Sequence, residues 1–223
     1  MIVGAGGLGR EYAWVADEMN LAADRSGTTC MPWRVLGYID DAAEKCGMRF
    51  GRYVVHGSVE AAAKEFASQD ISFAVAVGNN FLRERLARAA EALGWHPATL
   101  IHPSAIVAEG TQVGAGTYVA AGCIICPGVL VGNHVIVNTH VSVGHDSVLE
   151  DYVQVCPGAR VSGGCRVGRH ALLGSNASLT PRVTVGERAV VGANSHAVRN
   201  VAPGTTVMGC PARVLPGVHE ASR

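Results

Sequence analysis

The chain is poor in charge, and the charge it has cancels. Charged residues make up 16% of its 223 positions, with 18 Lys and Arg against 18 Asp and Glu. No run of Lys or Arg occurs, so the basic footprint that a nucleic acid partner requires is missing. No apolar stretch reaches the ~18 residues of a bilayer-spanning helix, and no membrane partner is expected. No secretory leader is visible, since Met1 runs directly into a glycine-rich turn. The cytoplasm is therefore the expected compartment. In place of charge the chain carries 48% hydrophobic residues and 28 glycines. That is the composition of a compact, loop-economical protein with one large domain or two small ones.

The dominant pattern has a period of six. From Ile101 the steps fall on Val107, Val113, Val119 and Ile125, and continue without a break to Ala197. Every stop is aliphatic. Four residues past each stop stands a small or β-branched residue, from Ala105 and Thr111 through to Ser195 and Val201. This is a hexapeptide repeat. Six residues make a short strand and a corner, and three such units close a triangular coil of eighteen. The aliphatic residue points inward, and so does the small residue four later, where a larger one would strike the next side. Gly, Asn and Asp cluster near the corners, where a positive φ costs them least. Seventeen hexads make about 5.7 coils, a prism roughly 27 Å long at about 4.8 Å per stacked strand. Right-handed crossovers are the rule for parallel strands. Known hexapeptide-repeat proteins wind the other way, and similarity to them implies a left-handed parallel β-helix.

Residues 1–95 read differently. A short strand enters Gly4-Ala5-Gly6-Gly7-Leu8-Gly9, and a helix follows from Arg10 to about Leu21. Residues 22–32 read as a loop. Further strands are expected at Val35–Ile39, Tyr53–Val55 and Ile71–Val77, with helices at Val59–Phe66 and Phe81–Leu93. The last helix should show Arg83, Arg85 and Arg88 on its polar face. Alternating strands and helices make a small Rossmann-like parallel α/β sheet. Residues 96–223 form the second domain, the β-helix with a C-terminal arm.

Ligands of such sheets sit beyond the carboxyl ends of the strands. That edge collects Gly6, Gly7, Asp40, Asp41, Gly78 and Asn79. Glycines at the turn let backbone N–H groups approach a phosphate at the helix N-terminus. The usual dinucleotide pattern wants an acid about 20 residues on, whereas Asp40 comes 36 residues after Gly4. A mononucleotide or nucleotide-sugar fits better than NAD. A tight turn with solvated acids and no ligand is the competing reading.

In the prism every eighteenth residue stacks. His145 therefore lies between Pro127 and Gly163, and Asp146 between Gly128 and Gly164. The only His-acid dipeptide of the prism is flanked by residues with little side chain, so a groove is expected there. Asp146 would orient the imidazole for proton transfer, and Asn138 would hydrogen-bond across the corner. The competing reading makes His145 a solvated corner residue like His134, His140 and His170. A zinc site fails for want of a third His in phase: His102 is out of register and position 104 is Ser. Cys123 and Cys126 form a lone CxxC, and Cys123 and Cys165 occupy small inward positions where Cys acts as an apolar side chain.

Taken together, Gly4–Gly9, Gly37-Tyr38-Ile39-Asp40-Asp41, Ala76-Val77-Gly78-Asn79-Asn80, Asn138-Thr139, Val143-Gly144-His145-Asp146 and Gly209-Cys210-Pro211-Ala212-Arg213 resemble the sialic acid O-acetyltransferase type of hexapeptide-repeat acyltransferase. That family includes N-acetyltransferases of UDP- and GDP-linked 4-amino-sugars. The resemblance covers nearly the whole chain. It implies a homotrimer with acetyl-CoA bound between adjacent prisms and no metal. It assigns the general base to His145, its acid to Asp146 and the acetyl-carbonyl donor to the Gly163 N–H. Pro211 and Arg213 would meet the adenosine end of CoA, and the N-terminal sheet of a neighbour would present the nucleotide-sugar. The expected reaction is N-acetylation of a nucleotide-linked amino-sugar. O-acetylation of a sialic-acid-type sugar and a non-catalytic trimeric nucleotide-binding scaffold are the alternatives. Gln154 stands where the family often has a second His, near the acceptor amine.

Overall fold

A computed structural model describes residues 1–27 and 33–216. The chain divides into two compact units, Met1–Pro103 and Ser104–Arg223.

In the first unit four parallel strands run in the order Tyr38–Ile39, Ile2–Val3, Ser72–Val75, His96–Pro97. The fourth of these lies past residue 95, in the stretch read from the sequence as the start of the second domain, but it pairs with this sheet. Tyr53–Val54 does not join this sheet as a strand. It pairs antiparallel with Arg49–Phe50 in a small hairpin. The helix after the glycine turn is longer than expected, Gly7–Arg25, because Ala22 and Ala23 are strong helix formers. Gly27, at φ +72°, ends it; of the expected loop, residues 28–32 lie outside the described residues. The helix buries Tyr12, Val15 and Ala16 against the sheet, and Asn80–Ala92 buries Ala87 and Ala90. Arg83 is not on the polar face. It is 1% exposed, and its guanidinium donates to the Val77 carbonyl at 3.0 Å and to Asn80 Oδ1 at 2.8 Å. A strand end whose carbonyl needs a donor has drawn the side chain inward.

The second unit is a left-handed parallel β-helix with three flat faces. The first face carries Tyr118–Val119, Ile136–Val137, Gln154–Val155, Leu172–Leu173 and Val190–Val191. The second carries Ile106–Val107, Ile124–Ile125, Ser142–Val143, Arg160–Val161, Ser178–Leu179 and His196–Ala197. The third carries Gln112–Val113, Leu130–Val131, Val148–Leu149, Arg166–Val167 and Thr184–Val185. Strands pair at a spacing of eighteen, as in Val143↔Val161 and Val161↔Leu179. From Val119 to Ala197 every aliphatic stop is buried. The second corner residue of each hexad, from Gly110 to Asn194, has a left-handed backbone, and His134, His140, Asp146 and Asn176 are among those that adopt it without being glycine.

The period does not hold to the end. Val185 pairs with Val201 and Val190 with Thr206, sixteen residues on rather than eighteen. Val201 therefore takes an aliphatic stop, not the small inward position expected of it. The chain then folds back as the hairpin Thr206–Gly209 and Ala212–Val214. Among the described residues no helix is long and apolar enough to cross a membrane.

Candidate active site

His145 is the first corner residue between the second and third faces. A carboxylate only accepts, so the contact of its Nδ1 with Asp146 Oδ2 at 2.8 Å places the proton on Nδ1. A neutral ring then offers the Nε2 lone pair. Both side chains are mostly exposed, 71% and 74%. Stacking explains how they fit. A Cβ on Gly163 would lie 2.5 Å from His145 Nε2, and one on Gly128 would lie 2.5 Å from Asp146 Oδ1. The imidazole thus lies across the backbone of Gly163, in space that any side chain there would fill.

The first corner position has a second property. Its N–H points away from the strand ladders, which is why Pro127, Pro157 and Pro181 are tolerated at this register. At Ala115, Asn133 and Arg169 a side-chain oxygen takes that N–H, from Asn133, Asp151 and Glu150 respectively, at 2.8–2.9 Å. At Gly163, among the described residues, no acceptor does. The residue that Nε2 overlies therefore carries a backbone donor with no acceptor among the described residues.

The structure does not join Asn138 to this pair. Asn138 lies at the corner between the first and second faces, and the strand Ser142–Val143 separates it from His145. Seven residues exceed one hexad, so the chain has already turned the next corner. Gln154 lies on the first face, between Ile136 and Leu172, and its Oε1 is buried without a partner. His134 and His170, expected as solvated corners, are buried and stack on either side of Tyr152 at 5.2 and 5.4 Å. Among the described residues no group of His, Cys, Asp and Glu has the geometry to hold a metal ion.

In the first unit the strand ends bring the glycine turn, Asp40 and Gly78 to one edge. Gly9 is required by packing, since a Cβ would strike the Gly4 carbonyl. Gly6 is not: nothing lies within 4 Å of a Cβ there, and its φ is −91°. Gly7 is similarly open, with only the Arg10 guanidinium near, at 4.0 Å. The N-terminus of the helix is thus bare. Asp40 is occupied internally: its carboxylate accepts from the Ala5 and Ala42 N–H groups and from Lys45. Burial would raise its pKa, but these three bonds outweigh burial and hold the carboxyl below the usual range. Asn79 caps the helix Asn80–Ala92 by accepting the Leu82 N–H at 2.9 Å. Asp40 and Asn79 therefore shape the edge, while Gly6, Gly7, Asp41 and Gly78 are its accessible parts. A cavity of about 490 Å³ opens at the opposite strand ends, beside Ile2, Trp33 and Ser72, and contains none of these residues.

Comparison with known proteins accounts for this combination. Residues 1–90 match the PglD N-terminal domain family. The acetyltransferase domain of PglB from Neisseria gonorrhoeae FA1090 is 32% identical, with a TM-score of 0.85 over 96% of this chain and 98% of that one. The chain belongs to the hexapeptide-repeat family of nucleotide-sugar acetyltransferases. PerB from Caulobacter crescentus, solved with CoA and GDP-perosamine, is 30% identical, with a TM-score of 0.82 over 96% of this chain and 95% of that one. WeeI from Acinetobacter baumannii AYE, at 24% identity and a TM-score of 0.81, shares the fold over 96% of this chain and 98% of that one. No match is found among the curated proteins.

For a member of this acetyltransferase family two features had escaped the sequence. One is that the Gly163 N–H, already the expected acetyl-carbonyl donor, has no acceptor among the described residues. The other is Arg10, whose guanidinium lies over the Phe50 ring at 5.5 Å and beside Gly7. Its position in the first turn after the glycines was the available signal. Pro211 and Arg213 sit exposed in the terminal hairpin, beyond the last coil.

Proposed function

We propose that the protein transfers an acetyl group from acetyl-CoA to the amine of a nucleotide-linked amino-sugar, with His145 as general base. The observation that carries the reading is the His145–Asp146 pair set against the open Gly163 N–H. Acyl transfer needs a base and an oxyanion donor on either side of one carbonyl carbon, and here the two share a corner. His145 Nε2 takes a proton from the acceptor amine as it attacks the thioester. Asp146 steadies the imidazolium. The Gly163 N–H holds the tetrahedral oxyanion, an effect worth about 3–4 kcal/mol in comparable sites. Collapse expels the CoA thiolate, which regains a proton from the imidazolium.

Direct transfer fits the state of the cysteines. Burial pushes the Cys123 thiol up to about 11 and raises those of Cys156 and Cys165. None of these is a ready thiolate nucleophile.

A homotrimer fits the geometry of one prism. Gln154 and Asn138 lie away from the His145 corner of their own chain, so either can serve that corner only from a neighbouring copy. The glycine-turn edge, with Gly6, Gly7, Asp41 and Gly78, holds the nucleotide, and Arg10 supplies a cation for its phosphates. Pro211 and Arg213 take the adenosine end of CoA. That the Caulobacter enzyme was solved with CoA and GDP-perosamine supports an amine acceptor over a hydroxyl. The test is an acetyl-transfer assay with UDP-, GDP- and dTDP-linked 4-amino-sugars against a free sialic acid. Turnover confined to the free sugar acid would overturn the amine assignment, and no thioester cleavage with any acceptor would leave only a scaffold.

A further inference from the structure

Two side chains from opposite coils converge on the corner where Gly163 and Gly164 stand side by side. His145, eighteen residues before Gly163, reaches it from one coil, with Nε2 2.5 Å from where a Gly163 Cβ would be. Arg182, eighteen residues after Gly164, reaches it from the other. Its Cγ lies 3.4 Å from where a Gly164 Cβ would be. The backbone of Arg182 is fixed there: its N–H donates to the Gly163 carbonyl at 3.0 Å, and Pro181 precedes it at the corner. The guanidinium is not committed to the protein. Arg160, Arg166, Arg169 and Arg188 of the prism each have an acceptor. The exposed side chain of Arg182 has no hydrogen bond or ion pair among the described residues.

Two facts bear on what this cation does. The first is a shortage of donors. An oxyanion hole commonly holds its oxygen with more than one. The Gly163 N–H is without an acceptor among the described residues, but the Gly164 N–H donates to the His145 carbonyl at 2.8 Å. Pro181, next above Gly163 in the stack, has no N–H to give. The backbone of this corner therefore supplies one donor. The second fact is reach. Consecutive Cα atoms are about 3.8 Å apart, and the guanidinium carbon lies three bonds beyond Cγ, a span of roughly 4 Å. A side chain that starts over Gly164 can bring an N–H to an oxygen seated at the Gly163 N–H.

We propose that Arg182 is the second donor to the tetrahedral oxyanion, beside the Gly163 N–H. This rests on the acetyl-transfer reading above and adds to it the side chain that meets the developing charge. As the acceptor nitrogen bonds to the thioester carbon, the carbonyl π pair moves onto oxygen, and the Gly163 and Arg182 N–H groups donate to it. The pair returns to re-form the carbonyl as the C–S bond breaks and the CoA thiolate leaves. Arg182 keeps its protons throughout; the one taken from the amine passes through His145 to the thiolate. A donor used only while the oxygen is charged acts on turnover and not on donor affinity.

The test is the kinetics of Arg182 variants of the full-length protein with two donors, acetyl-CoA and acetyl-pantetheine, the second without phosphates. Arg182→Ala should lower kcat and kcat/KM alike with both donors, on the order of 10²-fold. The KM for each donor and the calorimetric Kd of CoA should stay within about twofold. Arg182→Lys should recover part of the loss. Guanidinium ion added to Arg182→Ala, at concentrations that leave its melting curve unchanged, should restore part of kcat and do nothing for the parent, a rescue that a merely structural arginine would not give. A loss confined to the KM or Kd of the phosphate-bearing donor would make Arg182 an anion contact and overturn the assignment, as would parental kcat in Arg182→Ala. If Arg182→Ala does not fold, Arg182→Gln reads the same split between kcat and KM. Absence of acetyl transfer by the unsubstituted protein would instead count against the acetyl-transfer reading itself, a result distinct from a variant that fails where the parent turns over.

Discussion

The imidazole of His145 occupies the place of the side chain that Gly163 lacks, with Nε2 2.5 Å from where that Cβ would be. The two residues are eighteen apart and belong to consecutive coils, so each constrains the other. Gly163→Ala should push the ring off the corner and crowd the open N–H. The expected result is a loss of about 10²–10³ in kcat with little change in thermal stability, since the corner faces solvent. Steady-state kinetics and a melting curve together decide it, and parental turnover in the variant would refute the arrangement.

His145→Ala removes the base while leaving Gly163 in place. A drop of about 10²–10⁴ in kcat is expected, with CoA affinity and oligomeric state preserved. Asp146→Asn should cost less, because the ring keeps a neighbour but loses the charge that steadies it. Reversal of that order in measured kcat would take the proton-transfer role away from His145.

Gly6→Ala separates a ligand role from a packing role. The backbone there is compatible with alanine and nothing lies within 4 Å of the new methyl group, so the melting temperature should hold or rise slightly. The methyl would stand before the bare N-terminus of Gly7–Arg25. The KM for the nucleotide-sugar should therefore rise several-fold while that for acetyl-CoA does not. Unaltered KM values would remove the glycine turn from substrate binding.

Asp40→Asn tests the opposite case, a residue placed on the substrate edge whose carboxylate is occupied internally. Its folded pKa is depressed, so its charge contributes stability that is fully present above the ordinary carboxylate value of about 3.9. That contribution fades as pH falls below this value and through the lower folded pKa. The variant should lose about 1–3 kcal/mol of stability at neutral pH, and the gap to the parent should close on acidification. Denaturant unfolding at several pH values measures it; a gap that stays constant down to about pH 2, well below the ordinary carboxylate range, would mean the charge is not what matters.

How much of this was legible beforehand depended on distance along the chain. The hexad pattern reports directly on which side chains enter the prism, because a six-residue repeat leaves each position one possible orientation. The same arithmetic placed Gly163 and Gly128 against His145 and Asp146. It failed where the repeat was extended past its end, at Val201, and where Asn138 was carried across a corner that the chain had already turned. Arg83 was misjudged for another reason: helical periodicity does not register a carbonyl waiting at the end of a neighbouring strand.

The amino-acid order by itself determined the two-part architecture, the inward and outward faces of the prism and the neighbours of the candidate base, because all of these follow from local period and strand stacking. Only the tertiary structure decided that Asp40 and Asn79 are bonded within the protein and that the Gly163 N–H has no acceptor among the described residues. Each of those depends on which polar groups find partners across the fold, and hydrogen-bond pairing between distant residues leaves no periodic trace in a sequence.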